Sequence, residues 1–236
     1  MLETGTIKLP TIVLFDVDGT ILTTGGAGRR AITRAIEACG ITPKIDFSFA
    51  GMTDRGIIRK VLNASGPAAT ETAIDRVLEP YLDLLRAEVD AVDDATYRVH
   101  KGIVAAIDAA IDAPRVVCGL GTGNIEAGAR IKLERVGLSE RFSFGGFGCD
   151  AEDRAALLRA GAERGAAQLD TPLRYCRVVV IGDSPRDIKA AHAIEAECIA
   201  VSTGFIAAEE LARHHPDHLV ADMTASGAIE AMLGRS

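Results

Sequence analysis

Residues 11–20 read TIVLFDVDGT, and this stretch decides the fold class. A short apolar run, TIVLF, is followed directly by two aspartates and a Gly-Thr pair, which is typical of a buried strand that ends in a polar turn. Similar apolar runs recur along the chain. We therefore expect further strands at residues 115–120 (RVVCGL), 176–181 (CRVVVI), 197–201 (ECIAV) and 218–221 (HLVA).

Helical patterns separate these runs. Apolar residues recur at helical spacing in residues 103–111, 125–136, 152–168, 185–194 and 226–233. Strands that alternate with helices form a parallel sheet with helices on both faces. The sequence therefore predicts an α/β fold whose core is a Rossmann-like, doubly wound parallel sheet.

The segment at residues 25–98 interrupts this alternation. It shows helical periods at 29–39, 54–62 and 72–89 and no convincing strand. We expect an inserted, all-helical cap domain at residues 25–98 and a discontinuous core domain formed by residues 1–24 and 99–236. The glycines of GGAG at residues 25–28 fit a hinge and an ordinary tight turn equally well.

Composition excludes several classes of partner. The formal net charge is -7 and Lys and Arg form no cluster, which argues against nucleic-acid binding. No apolar run approaches the roughly 20 residues needed to cross a bilayer, so we expect no membrane association. The first ten residues, MLETGTIKLP, lack the basic start and apolar stretch of a signal peptide. That favours a cytoplasmic protein.

The first candidate site follows the first strand. Ligands of open parallel sheets bind beyond the carboxyl ends of the strands, which directs attention to Asp16 and Asp18. If the strand pattern persists, both carboxylates face the site, one as nucleophile and the other as acid and base. We place Gly19 and Thr20, which open the turn, among the candidate phosphate contacts. The same residues also fit a plain acidic turn after a strand.

The second candidate site follows the strand at residues 115–120. Thr122 supplies a hydroxyl group, and the amides of Gly123 and Asn124 lead into a helix N-terminus, a natural seat for phosphate oxygens. We expect these three residues to contact phosphate. The alternative is structural, with Asn124 as a helix N-cap and Gly123 as a turn residue.

The third candidate site lies in GDSPRD, where Asp183 ends a strand and Asp187 falls one helical turn later on the same face. Converging carboxylates repel unless they hold a cation, and hard oxygen ligands suit Mg2+. Simple capping of the helix is the competing explanation. Arg154 begins the preceding helix, where it either balances the aspartates and a phosphate or forms an ion pair with Asp150.

Taken together, FDVDGT, the strand ending at Thr122, Arg154 and GDSPRD resemble the four signature motifs of the haloacid dehalogenase-like superfamily. The match is to its phosphatases with a helical cap, such as phosphoglycolate phosphatases, and it covers nearly the whole chain. The resemblance implies that Asp16 is the nucleophile, Asp18 the general acid and base, Thr122 a phosphate ligand and Arg154 the stabilising cation.

The resemblance also implies a cofactor and a substrate class. Mg2+ would be held by Asp16, by Asp183 and by the backbone carbonyl oxygen of Asp18. Asp187 would act through water. The substrate would be a small-molecule phosphate ester. The sequence departs from the usual third motif, since Arg154 stands where a Lys-Pro pair is common.

Other activities share this fold. A sugar-phosphate mutase of the beta-phosphoglucomutase type uses the same aspartyl-phosphate chemistry, and a non-catalytic binding protein could keep the fold. A dehalogenase would need neither Asp18 nor Asp183. A phosphonatase would need a cap lysine, for which Lys44 and Lys60 are candidates that also fit a solvated helix surface.

Substrate choice is expected to come from the cap. Its segment GMTDRG at residues 51–56 resembles the substrate-facing turn of capped members. Arg55 is our candidate for binding a substrate carboxylate or second phosphate. It fits a surface ion pair with Asp54 or with glutamates equally well, and Thr53 fits the N-cap of the next helix.

Overall fold

The structure is a computed structural model, which describes residues 9–235. The α-helices and strands follow one another along the chain in this order: β1 Thr11–Phe15, β2 Leu22–Thr23, α1 Ala27–Ala38, α2 Asp54–Ser65, α3 Glu71–Ala91, β3 Arg98–Val99, α4 Ile103–Asp112, β4 Val116–Gly121, α5 Glu126–Glu134, β5 Gly145–Gly146, α6 Arg154–Gln168, β6 Arg177–Gly182, α7 Pro185–Ala193, β7 Glu197–Val201, α8 Ala208–Ala212, β8 His218–Val220 and α9 Ala228–Met232.

Six of the strands form one parallel sheet in the order β5-β4-β1-β6-β7-β8. β1 lies between β4 and β6, and Phe15 stands opposite Leu120 on one side and Ile181 on the other. The order reverses beside β1, which is the kind of switch point where α/β sheets open a crevice. The predicted Rossmann-like, doubly wound sheet is confirmed.

Both faces of the sheet are covered. Successive side chains of a strand point to opposite faces. Val13 and Phe15 accordingly belong to one apolar cluster, together with residues of α4 and α5. Ile12 and Leu14 belong to a second cluster with residues of α6 and α7. β1 is buried along its whole length, so the residues that follow it start from a rigid support.

The three helices α1, α2 and α3 lie between β2 and β3 in the chain, and we call this helical segment the insert. Both ends of the insert are joined by β2 and β3, which pair antiparallel with Leu22 opposite Val99. Gly25 and Gly26 have φ values of 57° and 81°, so the chain enters α1 through left-handed backbone that glycine adopts without strain. On the insert's own surface, Glu88 of α3 accepts hydrogen bonds from Arg30 and Arg34 of α1.

Four short elements differ from the sequence-based expectation. β2, β3, β5 and α8 were not predicted, and Arg98 of β3 lies inside the segment expected to hold no strand. Two-residue strands and a single helical turn leave no periodic pattern to detect. Elsewhere the predicted elements are present, with bounds shifted by a few residues. The expectations for residues 1–8 lie outside the described part of the chain. Within residues 9–235, no helix is long and apolar enough to span a membrane.

Candidate active site

Polar residues meet at the carboxyl edge of the three central strands. Asp16 follows β1, Thr122 follows β4 and Asp183 follows β6, so the parallel register brings them to the same edge. They line a cleft of about 530 Å3 between the sheet and the insert. Asp16 and Asp183 are each 4% exposed, so their carboxylates are held away from bulk water.

Arg154 joins two of the buried carboxylates. Its Nη2 atom lies 3.0 Å from Asp16 Oδ1 and 2.5 Å from Asp187 Oδ1. Arg154 begins α6 directly after its N-cap, Asp153. The alternative pairing with Asp150 is wrong, because Asp150 instead pairs with Arg164. The structure therefore places Arg154 beside the candidate nucleophile.

The buried charges at this edge do not balance. Asp16, Asp183 and Asp187 each have a carboxylate oxygen within 4.8 Å of the others. Within residues 9–235, Arg154 is the one cation that forms an ion pair with any of the three, and it pairs with Asp16 and Asp187. Burial, together with the neighbouring aspartates, raises the pKa of Asp16 to about 6 against the pull of Arg154. Burial and the same carboxylates also raise the pKa of Asp183. Such an excess of hard, buried oxygen ligands fits a divalent cation.

Asp183 has little room to move. A Cβ atom at Gly19 would lie 2.2 Å from Asp183 Oδ2, and one at Gly204 would lie 1.7 Å from it. Gly19 has a φ of 85°, which other residues rarely adopt. Gly19 also lines the cleft. The two glycines therefore allow the backbone to close around the carboxylate and fix its position.

Asp187 is already occupied by protein partners. Its Oδ2 atom accepts hydrogen bonds from the Ser184 backbone N–H at 3.0 Å and the Ser184 hydroxyl at 2.6 Å, completing a capping box on α7. Its Oδ1 atom pairs with Arg154. Asp187 therefore caps α7 and also pairs with a cation, so the two interpretations of this residue apply together. A metal could contact this carboxylate directly only by displacing one of these partners.

Asp18 is held by two residues of the α5 region. Lys132 Nζ lies 2.5 Å from Asp18 Oδ2, and Asn124 Nδ2 donates to the same oxygen at 2.8 Å. Lys132 also donates to Asn124 Oδ1 at 2.5 Å. Sequence reasoning missed Lys132, because one lysine inside a charged helical pattern carries no motif. The available signal was its place between Ile131 and Leu133, both buried.

The Thr122–Asn124 segment packs closely on the insert. Thr122 is fully buried, and its Oγ1 accepts hydrogen bonds from the backbone N–H and the side-chain amide of Asn124. The N-cap of α5 is Ile125, so the N-cap alternative for Asn124 is wrong. A Cβ at Gly123 would lie 2.2 Å from the Met52 carbonyl oxygen. The three residues of this segment that were predicted to contact phosphate, Thr122, Gly123 and Asn124, all line the cleft.

Thr20 does not fit its predicted role. Its side chain is fully buried, and its hydroxyl has no hydrogen-bond partner among the described residues. It is also not part of the cleft lining. The turn after Asp18 directs the Gly19 backbone toward the cleft and the Thr20 side chain into the interior. This corrects the expectation that Thr20 contacts phosphate.

The loop before α2 closes one side of the cleft. The Asp54 backbone N–H donates to the Gly123 carbonyl at 2.8 Å, and Asp54 Oδ2 accepts from the Ile125 N–H at 2.9 Å. Arg154 Nη1 donates to the Gly51 carbonyl at 3.3 Å. Burial raises the pKa of Asp54 to about 6, although nearby Lys132 opposes the shift. The insert therefore contacts the core directly at the candidate site.

Arg55 lies outside the cleft lining, which corrects the expectation that it meets the substrate. Its guanidinium group donates to Asp75 Oδ1 at 2.7 Å and Glu71 Oε2 at 2.5 Å, both at the start of α3. The structure shows the alternative, a surface ion pair, with Glu71 as an expected glutamate partner and with Asp75 in place of Asp54. Thr53 is the N-cap of α2, as the sequence predicted. The cleft lining includes neither Lys44 nor Lys60.

Comparisons with known proteins show the family to which the chain belongs. The model of the haloacid dehalogenase-like hydrolase family matches residues 13–192, which is most of the chain. No curated protein matches the sequence. The chain belongs to the haloacid dehalogenase-like hydrolases.

Several solved structures share the fold at low sequence identity. A predicted phosphatase from Clostridium acetobutylicum is 18% identical, with 96% of this chain and 100% of that chain covered and a TM-score of 0.70. Beta-phosphoglucomutase from Clostridium difficile is 17% identical over 96% and 98% of the two chains, with a TM-score of 0.72. CbbY from Rhodobacter sphaeroides, in complex with phosphate, is 20% identical over 96% and 100%, with a TM-score of 0.69.

Proposed function

We propose that this hydrolase is a Mg2+-dependent phosphatase that cleaves a small-molecule phosphate monoester through an aspartyl-phosphate on Asp16. The observation that carries the proposal is the arrangement of Asp16. It is a buried carboxylate with one oxygen paired to Arg154, and it lies next to Asp183 at the floor of the cleft. A buried, oriented carboxylate beside a fixed cation is suited to nucleophilic attack on a phosphoryl group.

The first step is attack by a carboxylate oxygen of Asp16 on phosphorus, in line with the leaving oxygen. The bond from phosphorus to the ester oxygen breaks, and Asp18 gives its proton to that oxygen as the alcohol leaves. Arg154 balances charge on the transferring group, and Thr122 with the backbone amides after it binds the phosphoryl oxygens.

The second step regenerates the enzyme. Asp18 removes a proton from a water molecule, whose oxygen attacks phosphorus and releases the Asp16 carboxylate together with inorganic phosphate. When bound by Asp16, Asp183 and the Asp18 carbonyl oxygen, Mg2+ would supply positive charge opposite the phosphoryl oxygens. The excess of buried carboxylates over cations is the feature of this site that fits such an ion.

Lys132 and Asn124 act as positioning residues in this mechanism. Both contact the carboxylate of Asp18, and Lys132 is buried with a side-chain exposure of only 3%. A fixed ammonium group holds the carboxylate in one orientation. Misplacement of an acid by a short distance costs a large part of its catalytic effect.

The insert at residues 25–98 serves as the cap in this proposal, and residues 1–24 and 99–236 as the catalytic core. Support comes from the loop at residues 50–54, which hydrogen-bonds to Gly123 and Arg154 and covers the cleft. A cap in this position excludes water that would compete for the phosphoryl group. We place the reaction in the cytoplasm.

The test is turnover of phosphate esters by purified protein with Mg2+, measured as released inorganic phosphate. Asp16→Asn should abolish release while circular dichroism stays unchanged, because the amide keeps the size of the carboxyl group but is no nucleophile. Release at the normal rate by folded Asp16→Asn protein would refute the proposal. Formation of an isomeric sugar phosphate without release of inorganic phosphate would instead identify a mutase.

A further inference from the structure

The cleft extends beyond the residues that carry the chemistry. Its lining continues along the insert through Gly28, Arg29 and Phe49, and it includes Arg98 at the junction of insert and core. Within residues 9–235, neither arginine forms an ion pair with Asp16, Asp18 or Asp183. Arg154 and Lys132 form ion pairs with carboxylates of the site, and Arg29 and Arg98 do not. The role of Arg29 and Arg98 must therefore be a different one.

Arg29 is held in place but keeps most of its hydrogen-bonding capacity. The centre of its guanidinium group lies 4.5 Å from the centroid of the Phe49 ring. Its Nη1 donates to the Phe47 carbonyl oxygen at 3.2 Å. A guanidinium group has five N–H donors, so one hydrogen bond leaves the others for a ligand. Stacking on the ring limits its motion and lowers the entropy lost on binding.

Arg98 is positioned by the strand pair at the base of the insert. It lies in β3 opposite Thr23, and Thr23 also lines the cleft. Arg98 is exposed, and it forms no ion pair within the described residues. By contrast, the other arginine of the cleft, Arg154, has two carboxylate partners. An exposed cleft with two arginines that lack acidic partners attracts an anion.

We propose that Arg29 and Arg98 form a second anion subsite, which binds the phosphate or carboxylate that is not transferred in a substrate with two anionic groups. The inference rests on the proposed phosphatase function and narrows it to a substrate class. A guanidinium group binds planar carboxylate and phosphate oxygens through paired N–H donors. The subsite replaces Arg55 as the origin of substrate selection, because Arg55 is bound to Glu71 and Asp75.

Phosphonates that the enzyme cannot hydrolyse test the subsite. The probes are propylphosphonate and its two analogues with a carboxylate or a second phosphonate at the far end of the chain, and the same three compounds with a six-carbon chain. Each is titrated calorimetrically into the Mg2+-loaded wild-type protein. We expect a two-anion compound to bind at least about tenfold more tightly than the matched single phosphonate.

The variants Arg29→Gln and Arg98→Gln should each reduce this preference to near one. Arg34→Gln is the matched control, since Arg34 lies in the same helix, points to Glu88 and does not line the cleft. It should keep the preference of the wild-type protein. Thermal unfolding of every variant shows whether it is folded. The carboxylate and bisphosphonate arms identify which second group the subsite takes.

Equal affinity for single- and two-anion compounds at both chain lengths would overturn the subsite, as would an unchanged preference in both arginine variants. If only one variant lost the preference for two-anion compounds, recognition of the second anion would be assigned to that arginine. A subsite formed by both arginines would then be refuted. Turnover of simple phosphate esters without any two-anion preference would leave the phosphatase proposal standing alone. A preserved preference in a protein that cleaves no ester would refute the phosphatase proposal but not the subsite.

Discussion

Lys132 and Asp18 form an ion pair of 2.5 Å between helix α5 and the turn after β1. The two ends differ in environment. The Lys132 side chain is 3% exposed, whereas the Asp18 side chain is 43% exposed and faces the cleft. A buried cation is strongly destabilising without its partner. The pair therefore fixes the orientation of Asp18 from the protein interior. The part of the Asp18 carboxylate that faces the cleft remains accessible to a substrate.

We predict that Lys132→Met lowers kcat by roughly ten- to a hundredfold and changes KM little. The loss reflects mispositioning of Asp18, since general acid–base catalysis contributes about 100- to 10,000-fold in total. Steady-state kinetics with p-nitrophenyl phosphate measure both constants. Lys132→Arg, which keeps the charge, should recover part of kcat. A rise in KM with normal kcat would show that Lys132 binds substrate instead of positioning Asp18.

The strands of the central sheet could be predicted because each one is a complete local signal. TIVLF and ECIAV were expected at the residues where β1 and β7 are found. The placement of polar residues after each strand followed from the rule that parallel strands end at one edge. The same rule predicted that Asp16, Thr122 and Asp183 lie close together.

Contacts between side chains that are distant in the sequence could not be predicted in the same way. Lys132 and Asp18 are 114 positions apart in the sequence. Their pairing depends on how α5 packs against the turn after β1. Arg55 shows the opposite case, in which a local resemblance suggested a site. Glu71 and Asp75 at the start of α3 accept hydrogen bonds from the Arg55 guanidinium group, which is therefore not directed at a substrate.

Mg2+ should stabilise the protein, because it would relieve repulsion among the buried aspartates. At about 100 times its Kd the ion would add about 2.7 kcal/mol, or roughly 5 to 10 °C in Tm for a chain of this size. Differential scanning calorimetry with Mg2+ and with EDTA measures the increment. Asp183→Asn should unfold at a higher temperature than wild type in EDTA and lose most of the Mg2+ increment. An equal increment in both proteins would place the ion elsewhere.

Arg55→Ala should leave substrate selection intact and reduce stability modestly. The Glu71 and Asp75 side chains are 66% and 62% exposed, and exposed ion pairs contribute about 0.2 to 1 kcal/mol each. We expect kcat/KM within about twofold of wild type for single- and two-anion esters, with a loss of roughly 1 kcal/mol in urea unfolding. A selective loss of kcat/KM for two-anion esters would restore Arg55 as a substrate ligand.

Asp54 should make stability depend on pH in the direction opposite to most carboxylates. It is 6% exposed, and burial raises its pKa to about 6 in the folded protein from 3.8 as the ordinary value. Below the lower value both states carry the proton. Between the two values the unfolded chain loses its proton first, so the contribution of Asp54 to stability falls as pH rises.

Asp54→Asn removes this titration and keeps the size of the side chain. A rise of about two pKa units corresponds to roughly 3 kcal/mol at most, which is the full cost above about pH 6. The free energy of unfolding, measured in urea with EDTA, is compared between variant and wild type from about pH 4 to about pH 7. Titrations that both proteins share, including those of Asp16 and Asp183, largely cancel in the difference.

We expect the stability of Asp54→Asn relative to wild type to increase with pH across this window. Attraction to Lys132 acts on the ionised carboxylate alone and is already included in the folded pKa of about 6, so it does not change the sign of the slope. A difference that is independent of pH would mean that Asp54 titrates at its ordinary pKa. A difference that decreases with pH would mean that attraction to Lys132 outweighs burial, so that the contact between insert and core is held by an ionised carboxylate.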